Sequence, residues 1–146
     1  MLRVAHNDVL VPVRRLLSIL LWLGVAGTMV ELLLLAHYED VTQWIPLVLM
    51  AITLLVLAWH AARPGRVAAA ALRATMTLFV IAGIAGIWLH YHGAREFQVE
   101  VDPSLAGAPL VWKVMRAKAP PVLAPGVLVG LGLVGFAYAQ CTRRME

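Results

Sequence analysis

Glu31 is a lone carboxylate inside an apolar run, Leu16–Ala36, that holds no other charge. An ionised acid in hydrocarbon costs roughly 2.5–3.5 kcal/mol on insertion scales, so such residues face a bundle interior or a polar pathway and take a partner. Gly24, Gly27, Thr28, Glu31 and Tyr38 recur at offsets of three, four and seven, which puts them on one face of a helix. Glu31, Thr28 and Tyr38 therefore form the first candidate, an intramembrane polar site. Its chemistry would be proton binding, or a hydrogen bond from a neutral carboxyl to a threonine or a backbone carbonyl.

A second candidate lies at the segment ends. His37, His90 and His92, with Glu39, Asp40, Glu96 and Glu100, supply nitrogen and oxygen donors. Imidazole and carboxylate suit zinc, copper, iron or nickel, which makes the three histidines candidate metal ligands. The spacing is undemanding: His90 and His92 would diverge by about 200° on a helix, so only an extended or frayed end lets both rings converge. Haem b, held between His37 and His90, ranks behind a simple transition metal, because both histidines sit at helix ends rather than inside a bundle. His60 lies at the opposite face, without a histidine from another span.

Other chemistries find little to work with. The two serines, Ser18 and Ser104, are outside any Gly-x-Ser-x-Gly elbow, and no glycine-rich phosphate loop follows a strand. Cys141 is the single cysteine, which excludes an internal disulfide and cysteine-based metal ligation within this chain. With these motifs missing, the expectation is a non-enzymatic protein.

The elements that must position these residues are membrane spans. Of 146 residues 62% are hydrophobic and 14% charged, against about 45–50% and about 25% in soluble domains. Four segments qualify: Leu16–Ala36, Trp44–His60, Ala74–Leu89 and Val122–Gln140. The apolar run at the N-terminus is longer than the core of a cleaved signal, so it is expected to be retained as a span. The expected fold is an all-α integral membrane protein, a four-helix bundle forming one membrane domain.

Arg3, Arg14, Arg15, Arg63, Arg66, Arg73, Arg143 and Arg144 fall on one side. Arg95, Lys113, Arg116 and Lys118 share a single loop on the other. The positive-inside rule then places both termini in the cytoplasm of a cell (inner) membrane, with the histidine- and acid-bearing loops outside or in the periplasm. The net charge of +4 comes from these flanking residues rather than from one basic face, so nucleic acid is not an expected partner.

The outer loop, residues 93–121, carries two patterns. Phe97-Gln98-Val99-Glu100-Val101-Asp102 alternates apolar and polar, which predicts a strand whose Phe97, Val99 and Val101 would meet a partner chain. Pro109–Lys118 reads as a short interfacial helix with Leu110, Val111, Val114 and Met115 on one face.

Stripes of small residues line the spans: Gly24 and Gly27 on the first, Gly83 and Gly86 on the third, Gly126 and Gly130 on the fourth. Membrane helices use such stripes for close approach. The first and third are expected to pack together, bringing Glu31 near His90 or Tyr38. The partners implied are the lipid bilayer and other membrane subunits or further copies of the chain. The function expected is that of an accessory or assembly subunit of a larger membrane complex. The alternative is a metal- or proton-handling membrane protein using Glu31 and the outer histidines.

Overall fold

A computed structural model describes the backbone of residues 2–118 and 120–143 and the side chains of residues 9–118 and 120–142. Arg144, counted above for orientation, lies outside the described residues, as do the side chains of Arg3 and Arg143. The chain runs α1 (Leu2–Leu34), α2 (Val41–Ala62), α3 (Arg66–Val101), α4 (Gly107–Met115) and α5 (Leu123–Arg143). Four stretches are long and apolar enough to cross a membrane: Val9–Leu34, Val41–Ala62, Arg66–Val101 and Leu123–Thr142. They correspond to the four segments legible in the sequence, and identify a multi-pass membrane protein.

Two compact units divide the chain, Met1–Phe79 with Leu131–Glu146, and Val80–Gly130. In the first unit α1 packs on α2. Its core is built from Leu21, Leu57, Leu72, Met76 and Ala139, one or two residues from each of α1, α2, α3 and α5. Trp22, Val56, Val134, Phe136 and Tyr138 close around that core. Buried threonines need a partner for the hydroxyl, and here each uses its own helix. Thr53 donates to the Leu49 carbonyl at 2.8 Å, Thr75 to Leu72 at 2.9 Å and Thr142 to Tyr138 at 3.1 Å.

In the second unit the close contact joins α3 to the start of α5. A Cβ built on Gly83 would lie 2.8 Å from the Pro125 carbonyl oxygen and 3.0 Å from the Val129 nitrogen, and one on Gly86 2.9 Å from Pro125 Cβ. Leu110 and Val114, one turn apart on α4, are buried, while Val111, Trp112 and Met115 are exposed. The short helix expected at Pro109–Lys118 is thus present, two residues earlier at its start and three earlier at its end. Arg116 lies over the Trp112 ring, 5.5 Å from its centroid.

The strand expected at Phe97–Asp102 is a correction: those residues up to Val101 continue α3. Ala94, Arg95, Glu96, Gln98 and Glu100 are good helix formers, and one glycine, Gly93, costs only about 1 kcal/mol. Against a helix already 27 residues long at His92, six alternating residues cannot favour a strand that has nothing to pair with. Phe97, Val99 and Val101 are therefore helix-surface residues, not a sheet edge. Pro103 ends the helix by disfavouring the α region at Asp102. The turn that follows is held by Asp102 Oδ1, which accepts from the Ser104 backbone at 3.1 Å and its hydroxyl at 2.6 Å. Those two bonds hold the Asp102 carboxyl below its usual range.

The end of α1 also differs from its reading in the sequence, which carried the span to Ala36. Helix geometry stops at Leu34, and Ala36 turns left-handed at φ 51°. The His37 N–H donates to the Leu32 carbonyl at 2.9 Å and the Ala36 N–H to Leu33 at 3.1 Å. This is a Schellman cap carried by alanine where glycine is usual. A left-handed alanine costs roughly 1 kcal/mol relative to glycine. Ala36→Gly is expected to stabilise the protein by about that amount, read as a rise in thermal unfolding temperature in detergent.

Candidate functional site

The turn after that cap places the residues at the first candidate site. Gln43, in the first turn of α2, accepts from the Glu39 N–H at 2.8 Å and the Asp40 N–H at 3.3 Å through its side-chain oxygen. These bonds hold the connection short and direct the chain into α2. Tyr38 and Trp44 meet across it, ring centroids 6.2 Å apart.

Glu31 lies one turn before the end of α1 with its side chain exposed. So are its neighbours on the same face, Gly27, Leu34 and Leu35, and a Cβ on Gly27 would meet nothing within 4 Å. Thr28 is half-buried beside them. The carboxylate thus points away from the packed interior of its unit, at a level where Leu16–Ala36 would lie in the bilayer. Gly24 receives the Leu131 side chain of α5, while Gly83 and Gly86 receive Val129 and Pro125 of α5. Gly24, Gly83 and Gly86 are thus used against the fourth span, and Gly27 is not. Gly126 has only Val122 Cγ1 near its Cβ position, at 3.9 Å, and Gly130 faces open space.

The histidine candidates fall into separate surroundings. His90 and His92 belong to uninterrupted helix, where residues two apart point about 200° away from one another. The His92 ring lies 4.3 Å from that of Trp88, one turn earlier, and 5.9 Å from that of Tyr91. His37 sits in the cap after α1. Among the described residues no three His, Cys, Asp or Glu side chains come together in a group able to hold a metal ion.

The structure assembles a different group, which reading the sequence for histidine pairs passed over. In the first unit a cavity of about 450 Å³ is lined by Arg14, Arg15 and Ser18 of α1, His60 of α2, and Tyr138 and Thr142 of α5. His60 is buried, with its Nδ1 shielded from solvent, and its ring meets the Tyr138 ring edge-on at 5.8 Å between centroids. Arg14 is half-buried and Arg15 exposed at the mouth. The sequence signal was spacing: Val11, Arg14, Arg15, Ser18 and Ile19 recur at three, four, seven and eight, one face of a helix. Antiparallel spans then return the ends of α2 and α5 to the end of α1 where that face begins. What the arrangement can do is bind an anion, with two guanidinium forks beside a hydroxyl and an imidazole, and no carboxylate among the described lining residues. No protein-family model, curated protein or solved structure matches this chain, so its function rests on these residues and their surroundings.

Proposed function

We propose that this chain is a non-enzymatic accessory or assembly subunit of a larger membrane protein complex, and that α1 docks on a partner through the face carrying Glu31. The carrying observation is the exposure of that carboxylate on a membrane-spanning helix, among exposed leucines. Lipid tails offer it no hydrogen bond, whereas a polar or basic group on a neighbouring subunit removes the cost of leaving it in hydrocarbon. Gly27, open to its surroundings one turn earlier, leaves room for a second helix to approach closely. In this reading both termini are cytoplasmic, by the distribution of arginines, and α4 lies at the outer interface with Trp112 at headgroup depth.

The test is site-specific photocrosslinking in native membranes. A benzophenone amino acid at Leu34 or Leu35, both exposed beside Glu31, is expected to trap a discrete protein adduct that disappears with Glu31→Leu. The same probe at Leu55, which is 71% exposed on α2, gives the background. If the adducts at Leu34 and Leu35 match that background, or persist unchanged in Glu31→Leu, the docking face is wrong.

A further inference from the structure

We propose that the Arg14–Arg15–His60 cavity binds the phosphate of an anionic phospholipid headgroup. Three features converge on that ligand. The first is charge: successive arginines on one helix face present planar forks that match phosphate oxygens, and Ser18 adds a hydroxyl. Thr142 contributes shape alone, since its hydroxyl donates to the Tyr138 carbonyl. The second is depth. Arg14 and Arg15 are the last charges before the apolar run of α1, and His60 and Thr142 stand near the ends of α2 and α5. Basic pockets at this level between membrane helices suit lipid headgroups.

The third feature separates a lipid from a soluble phosphate. Ile19 lines the cavity, and on the same side of α1 Leu16, Leu20 and Leu23 are exposed. Acyl chains hanging from a bound headgroup would lie along this apolar surface, which a free anion has no use for. Buried His60, its ring edge-on to Tyr138, forms part of the lining.

The experiment uses the full-length protein, delipidated in maltoside and titrated with phosphatidylglycerol, phosphatidylcholine or inorganic phosphate. Native mass spectrometry reads stoichiometry and thermal unfolding reads stabilisation. Phosphatidylglycerol is expected to bind one per chain and at least about tenfold more tightly than phosphatidylcholine. Arg14→Gln with Arg15→Gln should weaken it by about 10- to 30-fold, two cationic contacts' worth. Arg15→Gln alone, at an exposed position, should give a smaller loss in the same direction. Arg66→Gln with Arg73→Gln removes the same charge from exposed positions on α3 and should leave binding within about twofold. An equal loss in both double variants, or equal binding of the two lipids, would overturn the site. Saturation by inorganic phosphate at concentrations below those needed for phosphatidylglycerol would overturn its assignment to a lipid.

Discussion

Gly83→Ala is expected to destabilise the protein by about 1–3 kcal/mol, the cost of overpacking a tight contact. An exposed glycine inside a helix behaves in the opposite way, because alanine there gains about 1 kcal/mol in helix propensity. The reversal at Gly83 follows from what the new methyl would meet. Its nearest atoms include the Pro125 carbonyl oxygen at 2.8 Å and the Val129 nitrogen at 3.0 Å. Both are main-chain atoms of α5 and cannot rotate aside as the end of a side chain would, so the helices must separate. Separation loses van der Waals contact along the seam, and apolar lipid supplies no hydrophobic force to restore it. Gly93 provides the control on the same helix: it is exposed, with nothing within 4 Å of its Cβ position. Gly93→Ala should stabilise by about 0.5–1 kcal/mol. Thermal or denaturant unfolding in a single detergent measures both, and shifts of the same sign would show that α3 and α5 do not approach as described.

The second large effect is expected at Phe79. Its side chain is fully buried, 0% exposed and the largest so enclosed among the described residues. Phe→Ala substitutions in soluble cores cost about 3–5 kcal/mol, combining lost transfer from water with the cavity left behind. In a membrane helix the unfolded reference still lies in lipid, so the transfer part is small and the packing part remains. We therefore expect about 3 kcal/mol for Phe79→Ala, near the low end of that range. Leu55→Ala, at a residue 71% exposed on α2, should change stability by less than about 0.5 kcal/mol. Reversible unfolding in mixed detergent, followed by tryptophan fluorescence, would separate the two. A similar loss at Leu55 would mean that the exposed faces are covered in the purified protein. In that case the partner surface extends beyond α1.

These two predictions, like the docking face at Glu31, depend on which side of each helix is covered. The spacing of Gly24, Gly27, Thr28 and Glu31 assigned them to one face of α1. It could not say what that face meets, because a stripe of small residues fits any close neighbour. The answer divides along the stripe: Gly24 takes Leu131 of α5, while Gly27 and Glu31 are exposed. The carboxylate of the candidate polar site is exposed on the surface of its helix. The histidines illustrate the same limit differently. Residue type suggested ligands, but convergence of His90 and His92 required the helix to end before them, and α3 runs on to Val101.

By itself the sequence determined the number and approximate bounds of the spans, since hydropathy over about 20 residues follows directly from composition and bilayer thickness. It also marked the break between the second and third spans, because Pro64-Gly65 acts on its own backbone. The six residues from Phe97 were misread as a strand because alternation is a local pattern, whereas the helix preceding them sets their conformation. Only the tertiary structure decided which helix faces are covered and by what. It brought His60 beside Tyr138 and two arginines from another helix, and set Gly83 against a main-chain carbonyl. It also left Glu31 facing outward. Each of these depends on how helices rotate about their axes when they pack, a quantity fixed by contacts between distant segments and absent from any local run of residues.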